Sequence, residues 1–303
     1  MSSEIENLLS QLHEGNNKAL ARSISIVENE TDGHQYLLEN LKINHSTSVI
    51  GLTGPPGAGK STLVNCILSQ LATDGKKVGV IAIDPTSPFN LGSLLGDRVR
   101  MSNHFNDENI FIRSLATRGS LGGLSAKTIE VVDIMKSAGF DQVIVETVGV
   151  GQSEIEIIGL ADTTVLVLVP ESGDEIQTLK SGIMEIADIF VVNKAERDGA
   201  DAFVKNLHNF LKDKSGNSWK PSVVKAIATQ NSGIEELLEQ IQNHQKSIDK
   251  KDNSIHLFTE KAYKLIQNNR MKDVNRSTLK ASIESSINKD GFNLYSFVNN
   301  WDK

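Results

Sequence analysis

The sequence has little of what marks secreted, membrane-spanning or nucleic-acid-binding proteins. It contains one cysteine, Cys66, so no internal disulfide can form, and only 5% of its 303 residues are aromatic. No stretch approaches the roughly 20 consecutive apolar residues of a spanning helix, and the N-terminal segment lacks the basic and apolar regions of a signal peptide. A formal net charge of −7 without a long basic run argues against broad binding to nucleic acid or anionic membranes. We therefore expect a soluble cytoplasmic protein in a reducing compartment, with no nucleic-acid or membrane partner.

Hydrophobic periodicity divides the chain into three regions. Residues 1–47 carry apolar side chains at helical spacing, and residues 241–303 combine helical spacing with many Asn, Lys, Ser and Ile residues. Residues 48–240 alternate short β-branched runs with helical patterns, which is typical of right-handed βαβ units around a largely parallel sheet. We therefore predict an α/β domain flanked by a helical N-terminal extension and a helical C-terminal region. The predicted strands are Ser48–Leu52, Val78–Ile83, Gln142–Glu146, Thr164–Val169, Ile189–Val192 and Val223–Ile227.

A phosphate-binding loop follows the first predicted strand. Residues 54–61, GPPGAGKS, match G-x-x-x-x-G-K-[ST] without a mismatch and lie between that strand and a predicted helix. Glycines let backbone N–H groups converge on phosphate oxygens, and the helix N-terminus favours negative charge. Lys60 is expected to neutralise the β- and γ-phosphates, and the Ser61 hydroxyl to bind Mg²⁺. The predicted nucleotide contacts of this loop are Gly54, Pro55, Pro56, Gly57, Ala58, Gly59, Lys60, Ser61 and Thr62.

Acidic residues near the ends of later strands are candidates for the metal site. Asp84 and Glu146 each end an apolar strand, and Asp97 lies in a polar loop. A carboxylate at the carboxyl end of a parallel strand beside the P-loop points towards the Mg²⁺ water shell. Each acid taken singly is also explained as a solvated loop residue, Asp97 above all. Three residues after Glu146, Gly149 allows the backbone to approach a γ-phosphate closely.

A candidate base-recognition motif follows the apolar run IFVV. Asn193 and Lys194 begin the segment NKAE, which occupies the place of the N-K-x-D guanine motif, with Glu196 at the position of the usual Asp. The carboxylate of this motif accepts two N–H bonds from guanine, so adenine leaves a buried acceptor unpaired. Because Glu is one methylene longer than Asp, the choice between GTP and ATP stays open at this point. Ala228, before the helical pattern at 233–237, is a candidate for a backbone contact to the base.

These motifs together resemble the methylmalonyl-CoA mutase-associated GTPases, the MeaB-like group once described as arginine/ornithine transport ATPases. The resemblance covers roughly residues 5–245, and the stretches that carry it are GLTGPPGAGKST, IAIDPTSPF with GSLLGDRVRM, FIRSLATRGSLGGLS, VIVETVGVGQSE and GDEIQTLKSGIMEIADIFVVNKAE. It implies a homodimeric P-loop G domain that binds GTP or GDP with Mg²⁺, with C-terminal dimerisation helices. It also implies a partner, an adenosylcobalamin-dependent acyl-CoA mutase, whose cofactor loading and protection the GTPase supervises.

Matching positions carry further roles over from the family. Lys60 and Ser61 match the P-loop pair, and the three acids above match those around Mg²⁺. The first switch includes Arg100, the second spans residues 147–158, and an additional switch spans Glu171 to Gly182 with Asp174 and Lys180 as its charged members. The sequence departs from the family at Asn90-Leu91, Glu171 and Glu196, where members usually carry Thr-Gly, Gly and Asp.

The expected chemistry is slow hydrolysis of GTP. An in-line water, Mg²⁺ and charge neutralisation at the γ-phosphate are needed, and Gln152 is explained better as a polar switch residue than as the group that positions the water. Lys180 or Arg100 is a candidate cation that a rearranged switch, or a partner acting in trans, brings to the phosphate. Lys60, Asp84, Glu146 and Lys180 are therefore the predicted catalytic residues.

Three other classes remain as alternatives. A small-molecule P-loop kinase needs an acceptor pocket and leaves NKAE as a coincidence, and a transport-associated ATPase predicts ATP preference. A nickel-insertion GTPase fits less well, because none of the seven histidines pairs with the single cysteine at metal-ligand spacing. Cys66 lies six residues after Lys60 in the first helix of the domain, which predicts a buried apolar role.

Overall fold

The structure is a computed structural model. It describes residues 2–84, 101–104, 107–116, 126–147, 149, 157–173, 184, 187–212, 219–247, 250–271, 273–287 and 292–301. The chain forms two compact units, Met1–Leu257 and Phe258–Lys303. The division of the chain into an N-terminal extension, a GTPase domain and a C-terminal region, with boundaries at residues 47 and 240, stays a prediction. Among the described helices, none is both long enough and apolar enough to cross a bilayer.

A parallel sheet forms the centre of the first unit. Within the described residues it has seven strands in the order β3-β2-β4-β1-β5-β6-β7, and every neighbouring pair is parallel. Right-handed crossovers join parallel strands through helices, so helices cover the sheet faces. The strands are β1 Ser48–Thr53, β2 Val78–Asp84, β3 Ile110–Ala116, β4 Gln142–Glu146, β5 Thr163–Leu168, β6 Ile189–Val192 and β7 Ser222–Lys225.

Helices precede, separate and follow the strands along the chain. The N-terminal helices are α1 Ser2–His13, α2 Asn17–Glu28 and α3 His34–Glu39. The helices between strands are α4 Lys60–Thr73, α5 Ala126–Ser137 and α6 Ala200–Lys212, and α7 Ile234–Ser247 follows β7. The remaining helices are α8 Lys250–Arg270, α9 Arg276–Ser286 and α10 Leu294–Asn299.

Each face of the sheet carries its own hydrophobic core. On one face, α4 and α7 pack their apolar stripes against alternate residues of the strands, with Leu63 and Ile67 of α4 fully buried. On the other face, Phe203 of α6 packs with Phe190 of β6. The strands read as continuous β-branched runs because both faces are covered. This packing fixes the P-loop at the carboxyl edge of the sheet, since α4 cannot shift without opening the core.

The edge strand β3 is the one described strand that the periodicity did not predict. Its sequence IFIRSLA is interrupted by Arg113 and Ser114, which break the apolar run. The Arg113 guanidinium forms a partly buried ion pair with Glu28 of α2. Arg113 can therefore occupy a position in a strand because Glu28 of the N-terminal helices balances its charge. The local sequence pattern of β3 does not show this contact.

The second unit is helical and presents many apolar side chains to solvent. α9 begins with an Asn275 cap, whose side chain accepts hydrogen bonds from Ser277 and Thr278. Half or more of each of the following side chains is exposed in the single chain: Phe258, Tyr263, Ile266, Met271, Ile287, Leu294, Tyr295 and Val298. Such a concentration of exposed apolar residues is typical of a surface that binds a protein.

Candidate functional site

The connection between β1 and α4 has the geometry of a phosphate-binding loop. β1 ends at Thr53 and α4 begins at Lys60, as the motif predicts. Gly54 has φ +139°, and a Cβ on it would lie 2.0 Å from the carbonyl oxygen of Val167 in β5. Both the backbone angle and the close approach require glycine. The first glycine of the motif therefore lets the loop leave β1 in contact with the neighbouring strand.

The ammonium group of Lys60 lies within this loop. Its Nζ donates hydrogen bonds to the carbonyl oxygens of Gly54, at 2.8 Å, and Pro55, at 3.0 Å. Only 6% of Lys60 is exposed, so the charge depends on such partners and on the ligand that the loop receives. The N-terminus of the 14-residue helix α4 adds a partial positive charge at the same point. Of the remaining predicted loop contacts, Ala58 and Ser61 are buried, Gly59 is half-buried, and Pro56, Gly57 and Thr62 are exposed.

Ser61 and Glu146 form the candidate magnesium site. The Ser61 hydroxyl donates a 2.6 Å hydrogen bond to Oε1 of Glu146, and both side chains are buried. Glu146 ends β4, which lies between β1 and β2, with Leu52 and Ala82 as its cross-strand partners. A hydroxyl and a carboxylate are oxygen donors of the kind that Mg²⁺ prefers. The pair predicted from residues 85 positions apart is therefore in contact, and its donor chemistry fits the ion.

The other predicted metal ligands are described less fully. Asp84 is the last residue of β2, beside β4, and its backbone reaches the same carboxyl edge as Glu146. The predicted switch residues and ligands outside the described part of the chain are Asn90, Leu91, Asp97, Arg100, Gln152, Asp174 and Lys180.

Thr147 and Gly149, which follow β4, lie against the end of β1 and the P-loop. Thr147 donates its backbone N–H to Leu52 and its hydroxyl to Thr53 at 3.0 Å, which fixes the chain as it leaves β4. Gly149 then has φ +90°, and a Cβ there would lie 2.3 Å from the carbonyl oxygen of Gly54 and 2.5 Å from Nζ of Lys60. Any side chain at Gly149 would fill the cradle around the lysine. Gly149 therefore lies against the P-loop lysine, and its approach to a γ-phosphate stays a prediction.

Asn193 connects the candidate base site to the P-loop. Its amide nitrogen donates to the carbonyl oxygen of Ala58 at 2.8 Å, and its amide oxygen accepts from the backbone N–H of Ala228 at 3.2 Å. Lys194 has φ +57°, and its Nζ donates to the carbonyl oxygen of Gly57 at 2.7 Å. The predicted motif and Ala228 are therefore brought together across 35 residues. Glu196 is exposed on the same segment, so the protein by itself does not bury the predicted acceptor.

Sequence reasoning missed two contacts beside this segment. The buried thiol of Cys66 lies 3.0 Å from the carbonyl oxygen of Ala228, so the cysteine positions that loop as well as filling the core. Burial raises the pKa of the Cys66 thiol, which keeps it protonated. Arg197 forms an ion pair with Glu171, one of the positions that departs from the family pattern. Nothing local in the sequence pairs these residues, because each contact joins distant segments.

Comparison with known proteins identifies the family of this chain. The family model described as "Methylmalonyl Co-A mutase-associated GTPase MeaB" matches residues 20–282. A predicted GTPase of Pyrococcus abyssi is 43% identical over 293 residues, covering 95% of this chain and 89% of that protein. The mouse protein named methylmalonic aciduria type A homolog, mitochondrial, is 34% identical over 262 residues, covering 80% of this chain and 63% of the mouse protein.

A solved structure supports the fold. The crystal structure of an LAO/AO transport system kinase superposes with a TM-score of 0.71 at 24% identity, covering 99% of this chain and 96% of that chain. At that identity the likeness concerns the fold alone. The α/β P-loop architecture predicted from the sequence is confirmed. The chain belongs to the methylmalonyl-CoA mutase-associated GTPase MeaB family and is a GTPase of that family.

Proposed function

We propose that this GTPase acts as a chaperone of an adenosylcobalamin-dependent acyl-CoA mutase, gating the loading and protection of the mutase cofactor. The partner is inferred from the family description, which names methylmalonyl-CoA mutase, and from the name of the mouse relative. The chemistry rests on one observation above all, the 2.6 Å hydrogen bond that joins Ser61 of the P-loop to Glu146. Methylmalonyl-CoA mutase is the first candidate partner.

The P-loop residues hold the triphosphate. The ammonium group of Lys60 donates hydrogen bonds to the carbonyl oxygens of Gly54 and Pro55 in the loop. Its charge offsets that of the β- and γ-phosphates that enter the loop. Backbone N–H groups at the start of α4 bind phosphate oxygens without any side chain. Gly149 allows the chain after β4 to lie against the γ-phosphate, because no Cβ intervenes.

Ser61, Glu146, Asp84 and Asp97 are proposed to hold Mg²⁺, either directly or through its waters. The ion would draw charge from the β- and γ-phosphate oxygens when bound. In the present geometry Glu146 accepts a hydrogen bond from the Ser61 hydroxyl, which holds these two oxygen donors 2.6 Å apart. Loss of either side chain should therefore weaken magnesium-dependent nucleotide binding.

Guanine is proposed to lie between Lys194 and the Ala228 segment. Asn193 joins the Ala228 segment to the P-loop at Ala58, and the Lys194 stem covers the base. Glu196 accepts the N1–H and 2-amino hydrogens of guanine. Glu196→Gln replaces a charged acceptor by an amide, so we expect GTP affinity to fall by about 10–100-fold, the range of hydrogen bonds to charged groups. ATP affinity should not change.

Hydrolysis is proposed to be slow until a cation reaches the γ-phosphate. Lys180, or alternatively Arg100, supplies that charge when the mutase rearranges the switch. Such a cation raises phosphoryl-transfer rates by about 10³–10⁵. The test is GTP hydrolysis by the purified chain with and without apo-mutase, with Lys180→Ala as the variant that loses the partner-dependent increase. A rapid basal rate that the mutase does not change would contradict the proposal.

A binding experiment tests the partner separately. The chain loaded with GTP or GDP, each with Mg²⁺, is immobilised and exposed to purified methylmalonyl-CoA mutase, with a cobalamin-independent acyl-CoA enzyme as the control. We expect nucleotide-dependent retention of the mutase alone. Equal retention of the control, or no retention in either nucleotide state, would exclude the chaperone role but not the GTPase activity.

The second unit is proposed to form a homodimer. Its exposed apolar side chains, including Ile266 and the 81% exposed Tyr295, are the surface that a second copy would cover. Ile266→Asp should shift the chain towards monomer in light scattering, because dimerisation would then bury a charge. Gln267→Glu, on the next exposed position, is the matched control. A wild-type monomer at micromolar concentration would contradict the proposal.

A further inference from the structure

An ion pair joins the segment that follows β5 to the segment that follows β6. Glu171 lies in the 3₁₀ turn Pro170–Gly173, and its carboxylate accepts a hydrogen bond from the Arg197 guanidinium. Leu168 and Val192 pair at the carboxyl ends of the two strands, so both segments leave the sheet at the same edge. The contact therefore connects the start of the additional switch with the candidate base-recognition segment.

The charge of Glu171 faces the cations of that segment. The hydrogen bond from Arg197 is the main reason why the pKa of the Glu171 carboxyl is lowered, and the charge of Lys194 contributes in the same direction. About half of each side chain is exposed, 54% for Glu171 and 46% for Arg197. Because solvent screens this pair, it contributes little to the free energy of unfolding. Its effect is to hold the Arg197 guanidinium beside Glu171.

Arg197 directly follows Glu196, the proposed acceptor of the guanine N–H groups. Consecutive Cα atoms are about 3.8 Å apart, and a guanidinium matches both oxygens of a carboxylate at once. Guanine requires the same oxygens. An Arg197 without its Glu171 partner thus competes with the base for Glu196.

We infer that Glu171 is a specificity-determining positioning residue: by holding Arg197, it keeps the Glu196 carboxylate available to guanine. This inference depends on the proposed function, in which Glu196 accepts the N1–H and 2-amino hydrogens. Glu171 does not touch the nucleotide in this arrangement. Its effect must therefore depend on Arg197 and on the number of hydrogen bonds that the base offers.

The experiment measures equilibrium binding of GTP, ITP and ATP with Mg²⁺ by calorimetry. Glu171→Gln should lower GTP affinity by about two- to fivefold, the range of an exposed ion pair. ITP, which lacks the 2-amino group, should lose less, and ATP affinity should stay constant. Arg197→Gln, alone or combined with Glu171→Gln, should bind GTP like the wild type because the competing cation is absent. Asp201→Asn, which removes the exposed ion pair with Lys225, is the matched control and should change nothing.

Two kinds of result separate the inference from the proposed function. Three results would overturn the inference and leave the proposed function intact. The first is unchanged GTP affinity in Glu171→Gln. The others are an equal loss of GTP affinity when Glu171→Gln is combined with Arg197→Gln, and a loss of ATP affinity in Glu171→Gln as large as that of GTP affinity. Glu196→Gln is measured beside these variants, and unchanged GTP affinity in it would overturn the proposed base contact itself. A loss in Glu196→Gln together with a smaller, Arg197-dependent loss in Glu171→Gln supports both.

Discussion

Replacing Asn193 by alanine should destabilise the first unit and weaken nucleotide binding together. The side chain is 2% exposed and satisfies two buried backbone groups, the carbonyl of Ala58 and the N–H of Ala228. These groups belong to loops that follow different strands, so no neighbouring backbone group replaces the amide. The substitution therefore acts at the junction of the P-loop with the base segment.

The expected loss follows from the two contacts. Leaving a buried donor or acceptor unsatisfied costs about 1–3 kcal/mol, and the two contacts share one side chain, so their costs need not add fully. We expect Asn193→Ala to lower the free energy of unfolding by about 2–4 kcal/mol, a large part of the roughly 5–15 kcal/mol of a typical domain. Water entering the space left by the side chain would place the result at the lower end.

Urea denaturation followed by circular dichroism measures this loss. Asn206→Ala, at an exposed position of α6, is the matched control and should change stability by no more than about 0.5 kcal/mol. The transitions are repeated with GDP and Mg²⁺ at about 100 times the wild-type Kd, which should stabilise the wild type by about 2.7 kcal/mol. Asn193→Ala should gain much less at the same concentration, because its loops no longer form one site.

Unfolding of Asn193→Ala at the same urea concentration as Asn206→Ala would contradict the structural role of the amide. A second contrary result is a loss of stability as expected, with the gain from GDP still at the wild-type value. In that case Asn193 would hold the loops together without contributing to the nucleotide site.

Other predictions concern the cradle, the thiol and the N-terminal helices. Gly149→Ala should lower the rate of GTP hydrolysis by at least about tenfold, or about 1.4 kcal/mol of barrier, because the new Cβ meets Nζ of Lys60; an unchanged single-turnover rate would contradict this. Cys66 should react with iodoacetamide far more slowly in the native protein than in urea, as burial raises its pKa; mass spectrometry measures both rates, and equal rates would show an accessible thiolate. A double-mutant cycle of Arg113→Ala and Glu28→Ala should give a coupling of about 1–3 kcal/mol in unfolding, since both partners are partly buried. A coupling near zero would mean that apolar packing alone docks α2.

Local patterns predicted much of the sheet and the P-loop. β4 and β6 have the predicted bounds, and β1, β2, β5 and β7 differ from prediction by one or two residues at their ends. β1, β4, β5 and β6 are buried on both faces, so their β-branched runs are unbroken and easily recognised. β7 lies at the edge of the sheet and is only partly buried. β3 was not predicted, because Arg113 interrupts its apolar run and the residue that balances the charge of Arg113, Glu28, lies on α2.

The candidate site divides in a similar way. The sequence predicts that Ser61 and Glu146 belong to one magnesium site, because the P-loop and the carboxyl ends of parallel strands lie at the same edge of a sheet. The contact between Cys66 and Ala228 was not predicted, since a thiol in a helix carries no sign of the carbonyl it will meet. The position of a residue at the end of a predicted parallel strand places it at the carboxyl edge of the sheet. Which side chains it contacts there depends on the order of the strands.

The sequence by itself determined the family, the phosphate-binding loop and the alternation of strands and helices, because these depend on spacing over a few residues. Only the tertiary structure decided that β1 lies between β4 and β5, that Asn193 joins the P-loop to Ala228, and that Glu171 meets Arg197. Each of these contacts joins segments that different helices and strands bring to one edge. The roles of the Glu171 carboxylate and the Asn193 amide therefore depend on partners that are distant in the sequence and adjacent in the fold.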